Sequence, residues 1–159
     1  MWVLSLLLGA ALAMQPAAPA MASAPTPAVG ESGLEPTPQF RRYGTADGLP
    51  SSTVYAIVQD AQGAMWFGTK GGVVRYDGVG FKVYRHAAGD PASLYDNGIS
   101  TLLVDREGRL WAGGLEAGLN RYDPRRDRFV HWGHDPRDPA SLASDKVWTI
   151  AQSRDGHIL

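Results

Sequence analysis

The chain has 159 residues, room for about one domain, and its formal net charge of -1 gives no electrostatic attraction for nucleic acid or an anionic membrane. It contains no Cys, which excludes disulfides, thiolate metal sites and a cysteine nucleophile. The 19 Gly and 11 Pro in a chain that is 44% hydrophobic predict a globular protein with many turns, which favours β structure.

The N-terminal residues are predicted to be an export signal. Thirteen uncharged, mostly apolar residues follow Met1, and the later A-M-A sequence ending at Ala22 is a small-x-small cleavage site. The apolar run is shorter than the roughly 20 residues that span a bilayer. We therefore interpret residues 1–22 as a signal peptide and the Ala- and Pro-rich residues 23–39 as a disordered linker. Cleavage near Ala22 predicts a periplasmic or extracytoplasmic location.

From residue 40 onward the chain repeats itself. The segment VYAIVQDAQGAMWFGT from Val54 aligns with ISTLLVDREGRLWAGG from Ile99 and with VWTIAQSRDGHIL from Val147. The spacings of 45 and then 48 residues fit propeller blades and exceed those of ankyrin, TPR and leucine-rich repeats. The pentapeptide DPASL also occurs twice, at Asp90 and again 48 residues later at Asp138. The sequence therefore predicts an all-β chain of propeller blades, each a four-stranded antiparallel sheet.

Each unit is interpreted as four short strands. In the first unit these are residues 53–59, 64–68, 73–76 and 81–84, and Asp60 and Gly63 occupy the first and fourth positions of a type I turn between the first two. Both faces of the first strand carry apolar residues, with Tyr55 and Ile57 on one face and Val54, Ala56 and Val58 on the other. We therefore expect neighbouring blades to cover the strand on both sides. The segment FRRY, at residues 40–43, resembles the fourth strands and is predicted to be a lone strand.

The predicted organisation is a partial β-propeller over residues 40–159. Its blades cover residues of about 53–85, 98–133 and 146–159, and the third is expected to be truncated within its second strand. This is an incomplete ring of about two and a half blades, whereas propellers close with about four to eight. We therefore expect the isolated chain to expose an apolar blade face and unpaired strand edges, and to be poorly stable or to aggregate.

The repeat resembles a known family. The pattern D-x-x-G-x-x-W-x-G-T followed by G-G-x-x-R-Y-D, present at residues 60–69 and 71–77, is similar to the two-component regulator propeller repeat. The second unit departs from it with Gly114 in place of Thr and with one extra residue before Arg121. The resemblance covers residues 40–159. It implies an extracytoplasmic sensor propeller that precedes an immunoglobulin-like domain, one membrane span and a cytoplasmic histidine kinase or diguanylate cyclase.

The aromatic and carboxylate residues that recur once per unit have structural interpretations. Trp66 and Trp111 could line a ligand groove, but an aromatic at one fixed place per blade is predicted to pack between blades. Four recurrent carboxylates could suggest acid and base pairs, yet each lies at a turn, where Asp bonds to nearby backbone amides. These carboxylates are Asp60, Asp77, Asp105 and Asp123.

The histidines and one basic run are the remaining candidates. Of His86, His131, His134 and His157, only His86 and His134 recur in equivalent positions. No H-x-x-x-H metal-ligand spacing occurs, and His131 and His134, three apart, lack a nearby carboxylate cluster, so we predict a loop role. The run RRDR at residues 125–128 could meet a carboxylated or sulfated sugar, but a solvated turn is the simpler interpretation. We assign no catalytic, cofactor-binding or metal-binding residue, and the ligand-binding residues stay unassigned.

Three functional hypotheses remain open. The favoured one is a ligand-sensing propeller segment of a bacterial signal-transduction receptor, without enzymatic activity or cofactor in this chain. The alternatives are a fragment of a secreted propeller enzyme, of lyase or glycosidase type, and an export-targeted interaction scaffold. For the sensor, the expected partner is a small molecule or saccharide bound by the complete propeller. Membrane attachment is expected through later segments. Dimerisation of the full-length receptor is left open.

Overall fold

The computed structural model describes residues 38–159. The predicted signal peptide, its cleavage site near Ala22 and all but the last two residues of the predicted linker lie outside the described residues. The strands all fall within the compact unit Phe40–Leu159. In the part of the chain that is described, no helix has the length and apolar character needed to cross a membrane.

Among residues 38–159, eight strands form two separate four-stranded antiparallel sheets, each ordered as its strands follow in the chain. A short 3-10 helix, Thr45–Asp47, precedes them. The first sheet, blade 1, contains β1 Val54–Gln59, β2 Met65–Thr69, β3 Gly72–Tyr76 and β4 Phe81–Tyr84. The second sheet, blade 2, contains β5 Thr101–Val104, β6 Leu110–Gly113, β7 Leu119–Asp123 and β8 Arg128–Trp132. The predicted all-β fold of four-stranded propeller blades is confirmed.

The first hairpin of each blade closes through the turn predicted from its Asp and Gly. The amide of Gly63 donates to the carbonyl of Asp60, and the amide of Gly108 donates to that of Asp105, at 3.0 and 2.9 Å. Both glycines have a positive φ, which L side chains rarely adopt, so glycine is the favoured residue there. Turn chemistry thus fixes the register of both hairpins.

The core lies between the two blades. Blade 1 contributes Trp66, Val73 and Tyr84, and blade 2 contributes Leu102 and Phe129, all at most 9% exposed. These residues lie on facing sides of the two sheets because side chains alternate along each strand. Burying such residues supplies about 1.5–3 kcal/mol each, so packing of one blade on the next is the main stabilising interaction.

A backbone contact joins each repeat to the next. The amide of Ile99 donates to the carbonyl of Thr69 at 3.0 Å, and the amide of Val147, one repeat later, donates to Gly114 at 2.8 Å. The glycine in the second strand permits this approach: a Cβ at Gly68 would lie 3.0 Å from Ile99 Cγ2. Gly113 stands against Val147 in the same way, because a Cβ there would lie 2.6 Å from Val147 Cγ1.

The expectation that β1 is covered on both faces is wrong for one face. Ile57 is 56% exposed, whereas Leu102, its blade 2 equivalent, is 9% exposed. Tyr55 is 55% exposed at an irregularity in the β1–β2 ladder. Leu102 packs against blade 1, but no blade among residues 38–159 lies on the corresponding face of blade 1. Tyr43 covers only its outer part, with its ring 5.5 Å from that of Phe81.

Two further predicted elements differ from the structure. Residues 40–43 form no strand, because no described strand lies beside them to complete a ladder, and Phe40 is 94% exposed. The third unit forms a hairpin with one isolated bridge, Gln152 to Ile158, and no assigned strand. Its backbone bonds between Ala151 and Leu159 are nevertheless present, at 2.9 and 2.8 Å.

We predict that the 159-residue chain self-associates through the exposed face of blade 1. Replacing Ile57 with Ser should raise the concentration required for association by about tenfold, because burying an Ile side chain at the contact contributes about 1.5–3 kcal/mol of free energy. Val79→Ser is the matched control, since Val79 is 95% exposed at a hairpin tip away from this face. Sedimentation velocity across a concentration series measures both, and a monomer with a sharp cooperative melt would contradict the prediction.

Candidate functional site

Trp66 packs between the blades, as the sequence predicts, whereas Trp111 packs within its own blade and lines a cavity there. Trp66 is 1% exposed, with its ring 5.8 Å from that of Tyr84 and 4.7 Å from that of Tyr122. Trp111 is 8% exposed, and its ring stacks 5.9 Å from that of Trp132. Trp66 therefore packs between blades rather than lining a ligand groove.

Each tryptophan is also bonded to the turn aspartate of its own repeat. The indole Nε1 of Trp66 donates to Asp60 Oδ2 at 2.7 Å, and that of Trp111 donates to Asp105 Oδ2 at the same distance. The other carboxylate oxygen accepts two backbone amides of the turn in each repeat. A single carboxylate thus closes the turn and orients the buried indole.

The Asp105 carboxylate is held in its ionised form. Burial alone would raise its pKa, but hydrogen bonds from Trp111 and from the backbone and side chain of Arg109 outweigh this and lower the pKa below its ordinary value. The guanidinium Nε of Arg109 lies 2.5 Å from Asp105 Oδ2. All these contacts serve folding, so Asp105 is committed to structure and not to proton transfer.

The third repeat lacks both members of this pair. Ser153 occupies the position of Asp60, and Leu159 occupies the position of Trp66. The Ser153 hydroxyl bonds to Asp155 Oδ1 at 2.5 Å and to the carbonyl of His157 at 3.2 Å, so it stays within the turn. An aspartate at position 153 would have no indole to orient, because Leu159 replaces the tryptophan. The two substitutions therefore belong together.

The remaining recurrent carboxylates also serve turns. Asp77 Oδ1 accepts the amides of Val79 and Gly80, both at 3.0 Å, and these backbone bonds lower its pKa. Asp123 accepts the amide of Arg125 at 3.0 Å and the side chain of Arg126 at 3.1 Å. The predicted turn role of these two residues is confirmed.

His86 and His134 hold the two DPASL loops, which confirms their predicted loop role. Nδ1 of His86 lies 2.8 Å from the carbonyl of Leu94, and Nδ1 of His134 lies 2.7 Å from that of Leu142. Because a carbonyl only accepts, Nδ1 must carry the proton in both rings. The same loops are closed by Ser93, whose hydroxyl accepts the amide of Ala87 at 3.0 Å, and by its counterpart in the second copy.

The other two histidines form no metal site with their neighbours. His131 Nδ1 lies 2.9 Å from the carbonyl of Ser93, and His157 pairs with Asp155 at 3.3 Å on the surface. Among residues 38–159 no group of three or more His, Cys, Asp or Glu is placed to hold a metal ion.

The basic run at residues 125–128 contains one acidic residue, Asp127. Arg126 turns back to Asp123 at 3.1 Å, and Arg128 belongs to β8. Asp127 points toward blade 1, where its carboxylate accepts the hydroxyl of Tyr84 at 2.5 Å. The run therefore does not present its arginines as one cluster, and the cross-blade role of Asp127 has no signal in the sequence.

Several cavities of similar volume occur, and one of them lies at one end of the blades; we call it the loop-end cavity. It has a volume of about 420 Å³. It forms where β1 begins and β2 ends, beside the turns that join β2 to β3 and β6 to β7. It is lined by Tyr55, Lys70, Asp96, Gly98, Ser100, Leu115 and Glu116.

A β-bulge directs an aromatic side chain into this cavity. Val54 pairs with Thr69 and Ala56 pairs with Gly68, so Tyr55 has no partner in the ladder. Bulges re-aim side chains and are common beside functional sites. The equivalent residue of the third repeat is Trp148, which is 73% exposed. The equivalent residue of blade 2 is Ser100, which also lines the loop-end cavity, so the exposed aromatic occurs in the first and third repeats and not in the second.

The loop-end cavity combines an aromatic face with charges of both signs. Lys70 supplies an ammonium group, and Asp96 and Glu116 supply carboxylates. Such a lining suits a polar ligand with an apolar ring face, because the ring stacks while the charged and hydroxyl groups fix its orientation. This set could not be predicted from the sequence, because its members come from three separate connections and one bulge.

We predict that Asp105→Asn lowers the free energy of unfolding by about 1–3 kcal/mol at pH 6, because the buried network loses its negative charge and one of its two acceptor oxygens. The pKa of Asp105 is lowered in the folded state, so its stabilising effect is present above the unfolded pKa of about 3.9 and is lost as pH falls through the folded value. The acid loss of stability below about pH 4 should therefore be smaller in the variant than in the parent.

Urea unfolding between pH 2.5 and pH 7 measures this difference, with tryptophan fluorescence as the signal. Asp155→Asn is the control, because the Asp155 side chain is 70% exposed. Equal losses in the two variants at pH 6 would contradict the assigned role of Asp105.

Comparison with known proteins agrees with this geometry. A family model described as two component regulator propeller matches residues 48–71. Histidine kinase P4 of Formosa agariphila is 40% identical over 55 residues, which are 35% of this chain. The solved extracellular domain of a proposed hybrid two component system from B. thetaiotaomicron matches 73% of this chain at 30% identity, with a TM-score of 0.66.

The chain spans only a small part of these relatives. It covers 4% of the histidine kinase and 16% of the solved extracellular domain. The likeness is therefore to individual repeats and to a run of adjacent blades. The match to the solved extracellular domain covers 73% of this chain, well beyond residues 48–71 of the family model. That length is sufficient to include the second blade.

Proposed function

Because this chain carries repeats of the two-component regulator propeller family, we propose that it is a ligand-sensing segment of an extracytoplasmic propeller in a bacterial signalling receptor. The observation that carries the proposal is the loop-end cavity on blades of this family. The matched solved structure is described as an extracellular domain, which supports a location outside the cytoplasm. Export through the predicted signal peptide, with cleavage near Ala22, fits that location.

We propose that the loop-end cavity receives a small molecule or a saccharide. Tyr55 would stack on a ring face, Lys70 and Glu116 would bind its polar groups, and the backbone at Gly98 would limit its size. Further blades, as in the longer relatives, would complete the wall of the cavity. Signal output would reside in other parts of the receptor.

We propose a binding role rather than a catalytic one. The recurrent carboxylates Asp60, Asp105, Asp77 and Asp123 are engaged in turns. Of the two carboxylates that line the loop-end cavity, Asp96 accepts the amide of Gly98 at 3.0 Å and so also serves a loop. Catalysis by a lyase or glycosidase would need an acid and a base positioned on one substrate.

The test is ligand binding by the complete extracytoplasmic region of the receptor. Thermal-shift screening against mono- and oligosaccharides and small organic acids should identify a stabilising compound, and calorimetry then gives its Kd. Tyr55→Ala should weaken binding by about tenfold or more, whereas Tyr55→Phe should keep the stacking contact and most of the affinity.

Arg137→Ala is the control, since this exposed cation lies in the second DPASL loop, outside the lining of the loop-end cavity. Equal affinity in Tyr55→Ala and the parent would exclude this cavity as the binding site. Conversion of the compound into a product during the assay would favour the enzyme hypothesis instead.

A further inference from the structure

The hairpin between β7 and β8 differs from its blade 1 counterpart. Five residues separate Asp123 from Phe129, whereas three separate the equivalent residues Asp77 and Phe81. The longer hairpin carries Asp127, which faces blade 1. We propose that Asp127 is a conformational latch that holds the outer strand of blade 1 against blade 2. This proposal stands independently of any ligand.

The carboxylate of Asp127 joins three side chains. Its Oδ1 accepts the hydroxyl of Tyr84, on blade 1, at 2.5 Å and the hydroxyl of Tyr122, on its own blade, at 2.6 Å. Its Oδ2 forms an ion pair with Lys82 of blade 1. We call these four residues the Asp127 latch. One carboxylate thus bonds to both blades.

The backbone of Asp127 has a conformation that favours glycine. Its φ is +54°, and it is the single non-glycine residue with a positive φ among residues 38–159. Glycine adopts this conformation more easily, although Asp tolerates it better than most residues. A less favourable conformation persists where surrounding contacts maintain it, and here those contacts come from another blade.

The two tyrosine hydroxyls provide most of the latch. Lys82 and Asp127 are 54% and 44% exposed at their side chains, so solvent and salt weaken their attraction. Burial raises the pKa of Tyr84 far above its ordinary value. The Tyr84 hydroxyl therefore keeps its proton at any physiological pH and remains a donor to the carboxylate.

The latch lies beside the aromatic group of the interblade core. The ring of Tyr122 is 4.7 Å from that of Trp66, and the ring of Tyr84 is 5.3 Å from that of Phe129. Release of Asp127 would remove the polar bonds that tie these rings together. We therefore expect release of Asp127 to loosen β4 and the packed rings of Trp66, Tyr84, Tyr122 and Phe129, while the hairpin between β7 and β8 stays folded.

Hydrogen exchange of the 159-residue chain tests the latch, at a concentration where sedimentation shows one species. Asp127→Gly removes the carboxylate and relieves the positive φ, so a purely local role predicts unchanged or slower exchange. The latch predicts that β4 amides, on the other blade, exchange about tenfold faster. Asp123→Asn is the matched control, because Asp123 bonds only within the same hairpin in the described contacts.

The pair of Asp127 and Tyr84 gives a second readout. Tyr84→Phe removes the hydroxyl and keeps the ring, and it should also speed exchange in β4. If the two groups act through one bond, the double variant should exchange hardly faster than Asp127→Gly alone. Unchanged exchange in β4 of Asp127→Gly, or fully additive effects in the double variant, would overturn the proposal.

Discussion

Face-to-face packing of one blade on the next is the interaction on which the other features depend. A four-stranded sheet of this size has two apolar faces and cannot bury either of them alone. Gly68 and Gly113 make this packing possible, because the absence of a side chain lets the next repeat approach the second strand closely. Trp66, with the turn aspartate that orients it, then fills the space between the two faces.

The sequence predicted the parts of the structure that repeat. The turns at Asp60 and Asp105, the strand order within each blade and the burial of Trp66 follow from local chemistry that occurs once per unit. Such features depend on a few neighbouring residues, so each copy supports the interpretation of the other. Coverage of β1 was mispredicted at Ile57, because burial of an outer face depends on a neighbouring blade and not on the strand itself, and at Tyr55, because the bulge was not predicted.

Features that occur in one copy were not predicted from the sequence. Asp127 lies in a hairpin that is longer in blade 2 alone, and its partner Tyr84 is 43 residues away. The loop-end cavity likewise combines Tyr55 and Lys70 with residues that precede β5 and follow β6. No periodic pattern marks such contacts, since they depend on how two sheets are placed relative to each other. Function in repeat proteins resides in these departures from the repeat.

The paired replacement of Asp60 and Trp66 by Ser153 and Leu159 has a consequence for recognising related chains. If indole and carboxylate are exchanged together, a blade can lose its most visible sequence marker while it keeps its backbone connection to the preceding blade. The bond from Val147 to Gly114 persists in this chain although the following repeat lacks the tryptophan. Blade counts based on tryptophan would therefore be too low, and the small residue facing a β-branched one is the more durable marker.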